Sequence, residues 1–295
     1  MNAIEVTGLA KSYDGEPAVV DVGFTVAEGE VVAILGPNGA GKTTTVEILE
    51  GFRTRDAGTV RVLGVDPARG GRRWRTGIGI VMQSTSLDAE LTVGELLSLY
   101  AGLYPRPRPI DEVLEMVGLA DDVDTRAGTL SGGQQRRVDL ALGVVGNPRV
   151  LFLDEPTTGF DPAARRQTWR TVRDLSAAGM TVLLTTHYLD EAAALADRVL
   201  VFTRGRVVAD EPPDQLTGGL DATRIRFPLP AGHSVPVRGV VTDGWCTVTT
   251  QDVTATVGAL VDWARAEDVR LDGMTVAPPS LEDAYLALTM AADHV

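Results

Sequence analysis

Apolar residues in the first two thirds of the chain fall into short uninterrupted runs. Val31 to Leu35, Val150 to Leu153 and Val182 to Leu184 are of this kind. Continuous apolar runs of strand length mark strands covered on both faces, as in parallel sheets. Around them the spacing shifts to a helical period over Leu91 to Leu103, Ile110 to Val117, Gln134 to Val144 and Arg165 to Leu175. A glycine-rich turn follows Val31 to Leu35 and leads into a helical pattern through Val46, Ile48 and Leu49. This alternation predicts an α/β domain built on a mainly parallel sheet.

The pattern changes beyond Glu211-Pro212-Pro213 and Thr217-Gly218-Gly219, two turn-forming clusters. Short strands are expected at Thr223 to Phe227, Val235 to Val241 and Cys246 to Thr250. Val253, Val257, Leu260, Val261 and Ala264 share one helical face, and Leu281, Ala284, Tyr285 and Leu288 share another. Ser280 and Asp283 form a capping-box pattern that starts the last helix after Pro278-Pro279. The expected division is residues 1–219 and a small accessory or regulatory α+β domain over residues 220–295.

Gly36-Pro37-Asn38-Gly39-Ala40-Gly41-Lys42-Thr43 fits the phosphate-loop pattern G-x-x-x-x-G-K-[ST] between a buried strand and a helix. Glycines let the backbone turn sharply and approach phosphate oxygens without a Cβ in the way. The loop amides and the helix N-terminus direct positive partial charge at an anion. Lys42 adds a full charge for the β and γ phosphates, and the Thr43 hydroxyl can ligate Mg²⁺. Asp154 and Glu155 end a second buried strand, at the carboxyl edge where open α/β sheets bind ligands. There Asp154 would reach the Mg²⁺ shell, directly or through water, and Glu155 would polarise an attacking water.

Leu130-Ser131-Gly132-Gly133-Gln134-Gln135-Arg136-Arg137, just upstream of the acidic strand, resembles the signature motif of the ATP-binding cassette (ABC) family. The resemblance covers residues ~2–215 and implies a phosphate-loop cassette with antiparallel N-terminal strands and a helical signature subdomain over about residues 88–147. It implies that ATP contacts Tyr13 by adenine stacking and the segment from Gly36 to Thr44. It further implies that Ser131, Gly132, Gly133 and Gln134 meet the nucleotide held by a second copy in a head-to-tail dimer. Gln83 matches the glutamine that touches Mg²⁺ or the lytic water and begins the segment facing the transport partner. His187 matches the switch histidine at the γ-phosphate, and Asp161 the loop where the two copies communicate. Phe160 stands where the family more often has leucine. Pro278 to Tyr285 is similar to the tail of single-cassette exporter ATPases of the daunorubicin-resistance group. The implied function is ATP hydrolysis that energises a separate integral membrane permease. The alternative is an ABC ATPase of translation control or DNA repair, though such proteins usually carry two cassettes or long coiled coils.

Bulk properties change this picture little. The 295 residues carry a formal charge of −13, and nucleic-acid binders usually show a basic surface, so no nucleic-acid partner is expected. No apolar run approaches the ~20 residues of a membrane-spanning helix, and no signal peptide is visible. One cysteine, Cys246, excludes an internal disulfide and suits a reducing compartment. The expected location is cytoplasmic, on the inner face of the membrane through the permease.

Overall fold

A computed structural model describes residues 1–82, 87–218, 223–230 and 232–293. Gln83 therefore lies outside the described residues. The chain divides into two compact units, Met1–Pro213 and Asp214–Val295.

The first unit opens with two long antiparallel strands, β1 (Asn2–Tyr13) and β2 (Glu16–Ala27), followed by β3 (Val31–Leu35), α1 (Lys42–Leu49) and β4 (Ala57–Val62). After the four-residue helix α2 (Arg72–Arg75) come β5 (Ile78–Val81), α3 (Val93–Ala101), α4 (Ile110–Val117) and α5 (Gly132–Val145). The remaining elements are β6 (Val150–Asp154), α6 (Pro162–Ala177), β7 (Thr181–Thr186), α7 (Leu189–Leu195), β8 (Arg198–Thr203) and β9 (Arg206–Glu211). A six-stranded sheet has the order β5-β6-β7-β3-β8-β9. Its first five strands are parallel, and β9 is antiparallel to β8. Strands β2, β1 and β4 form a separate antiparallel sheet.

The main apolar core joins residues of the two sheets. Ile4, Phe24 and Val26 belong to the same buried cluster as Ile34, Phe152, Leu183 and Phe202. All five residues of β3 and all six of β7 are buried, which is why their apolar runs are unbroken. Helices α3, α4 and α5 pack on one another. Capping boxes, Thr92 with Glu95 and Ser131 with Gln134, start α3 and α5. The Thr92 cap trims the first expected helix to Val93–Ala101. Helix α6 begins three residues before its periodic pattern, because Asp161 caps it and Pro162 occupies its first position.

A short helix, α8 (Pro213–Gly218), starts at the division between the units. The second unit contains β10 (Thr223–Pro228), β11 (Val240–Thr242), β12 (Trp245–Thr250), α9 (Val253–Ala266), β13 (Thr275–Ala277) and α10 (Leu281–Asp293). Its antiparallel sheet runs β11-β12-β10-β13 around a small core of Ile225, Phe227, Cys246, Val248 and Leu260. The strand expected over Val235 to Val241 shrinks to β11. Pro236 cannot donate to a ladder, and Val235 and Val237 pack on the apolar cluster without pairing.

Candidate active site

Sheet register assembles the site. Strands β3, β7 and β6 are adjacent and parallel, with Leu35 beside Thr186 and Asp154 beside Thr185. The residues that follow, Gly36, His187 and Glu155, therefore emerge together at the carboxyl edge, the ligand-binding edge of open α/β sheets. A cleft of about 870 Å³ opens there, within the ~300–1,000 Å³ of small-molecule sites. Asn38, Gly39, Gly41, Lys42, Thr43 and Thr44 line one side, and Asp154, Glu155 and His187 line the other.

The loop is held by its glycines. Gly41, with φ of 95°, caps α1 in a left-handed conformation, and a Cβ there would lie 2.4 Å from the Ala18 carbonyl oxygen. At Gly36 a Cβ would lie 2.5 Å from the Phe202 oxygen. Gly39 also has positive φ, 80°, but its Cβ would meet no protein atom within 4 Å. Gly36 and Ala40 are buried and do not line the cleft, while Pro37 is exposed. The Lys42 ammonium donates to the carbonyls of Gly36 at 2.7 Å and Pro37 at 3.1 Å. Burial lowers the Lys42 pKa, and the Glu155 and Asp154 carboxylates oppose that shift. A charged lysine, the unpaired amides of a helix start and three glycines without side chains fit a polyphosphate.

On the opposite wall the Thr185 hydroxyl donates to Asp154 Oδ1. The Glu155 N–H points to Thr185, 3.1 Å from its carbonyl oxygen and 3.2 Å from Oγ1. These contacts hold Glu155 at φ 46°, a left-handed conformation that costs a non-glycine residue about 1–3 kcal/mol and recurs at functional sites. Glu155 Oε1 lies 3.1 Å from His187 Nδ1, and Oε2 accepts from the Thr158 hydroxyl at 3.1 Å. The Glu155 side chain is 15% exposed and that of His187 42%, so the pair faces the cleft with the carboxylate on the drier side.

Thr43 and Asp154 also line a smaller neighbouring cavity of about 240 Å³. Glu47 and Glu50 line it too, and a hydroxyl with carboxylates suits a hard cation that keeps water and phosphate oxygens as its other ligands. Among the described residues no cluster of three or more His, Cys, Asp or Glu makes an all-protein metal cage.

The remaining predicted residues stand apart from the cleft. Tyr13 does not line it, but its hydroxyl is 3.5 Å from Thr44 Oγ1. The Arg53 guanidinium lies over the Tyr13 ring at 5.2 Å. Ser131 and Gly132 are exposed, and Ser131, Gly132, Gly133 and Gln134 are all absent from the cleft walls. Ser131 Oγ accepts from the Gln134 N–H at 3.3 Å and donates to Gln134 Oε1 at 2.9 Å. A Cβ on Gly133 would lie 3.7 Å from that of Ala164, which places this helix tip beside the start of α6. There Asp161 accepts from the N–H groups of Ala163 at 2.8 Å and Ala164 at 3.0 Å, and the bonds from Ala164 and Ala163 hold its carboxyl below the usual range.

Two contributors escape sequence reasoning. Arg136 donates to the carbonyls of Met82, of Asp154 at 3.0 Å and of Pro156 at 3.5 Å, so it ties α5 to the strand ends beneath the cleft. Arg136 falls within the signature motif, but the motif gives it no role of its own; the further signal is its place just before the wholly buried stretch Val138 to Val145. Thr185 positions both acidic residues, and its signal is a polar pair, Thr185-Thr186, following the apolar run Val182 to Leu184.

Comparison with known proteins agrees with this geometry. The family described as ABC transporter matches residues 19–158. The family described as ABC transporter domain-containing protein-like, C-terminal domain, matches residues 223–280. The chain is 39% identical to the daunorubicin resistance ATP-binding protein DrrA2 of Streptomyces coeruleorubidus, over 97% of this chain and 95% of the relative. It is also 39% identical to the Nod factor export ATP-binding protein I of Rhizobium meliloti, over 97% of this chain and 88% of the relative. The dimeric structure of a bacterial ABC transporter cassette superposes with a TM-score of 0.64 at 26% identity, over 71% of this chain and 98% of that one.

Proposed function

Because this chain belongs to the ATP-binding subunits of ABC transporters, the ATPases that energise transport, we propose that its cleft binds MgATP and that Glu155 drives hydrolysis there. The observation that most directly supports these roles is the meeting of Lys42, Asp154, Glu155 and His187 in one cleft at register-aligned strand ends. Lys42 and the amides from Gly39 to Thr44 hold the β and γ phosphates. Tyr13, at the rim beside Thr44, stacks on adenine. Thr43 and Asp154 would hold magnesium, and the family resemblance gives Gln83 a role at the metal or the lytic water. Magnesium held there would neutralise phosphate charge. Glu155 takes the proton of the attacking water, and His187 steadies that carboxylate and faces the charge that develops on the γ-phosphate.

A single copy leaves one side of the nucleotide open. The tip Ser131, Gly132, Gly133 and Gln134, its first two residues exposed, lines no part of its own cleft, which suits a role toward the nucleotide of a second copy. Two copies arranged head to tail give two shared sites, with Asp161 at the start of α6 carrying information between them. Repulsion between hydrolysis products then helps reopen the pair.

The motion passes to a separate integral membrane permease near the Gln83 segment. Among the described residues no helix is long and apolar enough to cross a membrane. The relatives are named for daunorubicin resistance and Nod factor export, so export of a drug, antibiotic or lipid-like molecule is the transport we propose. The protein would then sit at the cytoplasmic face of the membrane through its permease, with residues 220–295 as an accessory domain.

Lys42→Ala tests the site. It removes charge-assisted contacts worth about 1.5–3 kcal/mol each, so ATP affinity should fall at least tenfold in a nucleotide titration. Unchanged affinity together with unchanged hydrolysis would overturn the assignment. Purification of the native complex from membranes should recover an integral membrane protein; recovery of none would count against the permease.

A further inference from the structure

Helices α6 and α7 are joined by a row of hydrogen bonds. Arg165, Trp169 and Arg173 stand at four-residue intervals on α6, and so share one face. Arg165 donates to Asp190 Oδ2 at 3.1 Å, Trp169 Nε1 to Glu191 Oε1 at 3.0 Å, and Arg173 to the Ala194 carbonyl at 2.6 and 3.1 Å. The middle contact differs from the others. Glu191 is 0% exposed, and the same Oε1 also accepts from the buried Thr157 hydroxyl at 2.7 Å. Its second oxygen, Oε2, is buried with no hydrogen-bond partner among the described residues.

An interior carboxylate with one oxygen used twice and the other unused is an unfavourable way to fill space. An apolar side chain of similar size would avoid the desolvation. What a carboxylate adds is the joining of three segments at one point. Thr157 follows Glu155 by two residues, Glu191 follows His187 by four, and Trp169 belongs to the helix that Asp161 caps. A second link runs parallel to it: the Arg165 guanidinium lies 4.4 Å from the Tyr188 ring, whose centroid is 4.1 Å from that of His187.

We propose that Glu191 is a positioning residue for ATP hydrolysis, its Oε1 locking the Thr157 segment to α7 and so fixing the 3.1 Å approach of His187 to Glu155. This inference rests on the reading of Glu155 and His187 as the reacting pair. Glu191 touches neither substrate nor reacting atoms; it acts through the two loops. Because Trp169 shares the same oxygen, a shift of α6 is felt at both loops together.

The test compares kcat, KM and ATP affinity in full-length variants. Glu191→Leu keeps the bulk and removes the acceptor. Its kcat should fall about tenfold or more, since displacement of a reacting group by ~1 Å can cost ~100-fold, while ATP affinity stays within about twofold. Glu191→Gln retains an oxygen acceptor and should return kcat to within about threefold of wild type, neutral acceptors being the weaker ones. Thr157→Val should reproduce the kcat loss, and Thr157→Val combined with Glu191→Leu should cost no more than the larger single loss, as for two partners in one bond. If Glu191→Leu does not fold, Thr157→Val and Trp169→Phe carry the comparison, with the same selective kcat loss expected. Wild-type kcat in the folded variants, a Gln variant as impaired as the Leu variant, or losses that multiply would each overturn the proposal. Normal turnover by Glu155→Gln would instead remove the reacting pair itself, so the two failures are separable.

Discussion

Replacing Glu155 by glutamine isolates the chemical step. The side chain keeps its size, and its backbone stays held by Thr185 at φ 46°. An amide oxygen can still accept from Thr158, and the contact to His187 weakens from a charged to a neutral hydrogen bond, a difference of about 1 kcal/mol. His187 is nearly half exposed, so the effect on folding is smaller still. The proton acceptor, in contrast, is lost outright. General bases typically contribute ~10²–10⁴ in rate, or about 2.7–5.5 kcal/mol of barrier. Loss of a negative charge from the cleft wall also removes repulsion toward phosphate, so ATP affinity should hold or rise. The assay is phosphate release at saturating MgATP, beside nucleotide titration and light scattering. The expected result is turnover lowered by at least ~100-fold, affinity retained and an ATP-bound dimer accumulating. Wild-type turnover, or a rate loss that tracks lost ATP binding, would refute the role of Glu155.

Three further outcomes follow from the geometry. Gly41→Ala meets the Ala18 carbonyl at 2.4 Å and must adopt a left-handed φ, whereas Gly39→Ala meets only the second penalty; thermal unfolding should show a loss of about 1–2 kcal/mol for Gly39→Ala and clearly more for Gly41→Ala, and equal losses would contradict the packing. Glu50 is buried at the end of α1, and burial, then Asp154 and Glu47, push its pKa from 4.5 to about 8. The folded state thus binds the extra proton between those values, so this residue should make stability fall as pH rises from about 5 to about 8, by up to ~1.4 kcal/mol per pH unit; Glu50→Gln should flatten that slope in denaturant titrations. Arg136→Met removes three donors to carbonyls beneath the cleft and one side of the buried ion pair with Asp139 at 3.6 Å, and should destabilise by about 3–5 kcal/mol, a loss that denaturant midpoints would register.

Legibility followed the physics of each signal. The unbroken apolar runs announced β3, β6 and β7 because both faces of those strands are covered. The edge strands were less visible: β9 alternates exposed and half-buried positions, and Val235 to Val241 carried apolar residues that pack without a ladder. Glycine and lysine at fixed spacing marked the phosphate loop because backbone conformation and charge are both encoded locally. Thr185, Arg136 and Glu191 stayed silent because their roles come from register and helix packing, which bring together residues 18 to 34 positions apart. Ser131 and Gly133 were legible as a helix start, while their use against a second copy came from the family resemblance alone.

The shared site can be tested by mixing two inactive chains. Lys42→Ala spoils the phosphate loop and leaves the Ser131 tip intact; Ser131→Arg does the reverse. Each variant alone should be nearly inactive. In an equal mixture half the dimers pair one of each, and one of their two sites is whole, so activity should return to roughly a quarter of wild type by counting sites. No recovery at any mixing ratio, with both variants folded, would contradict an ATP site built from two copies.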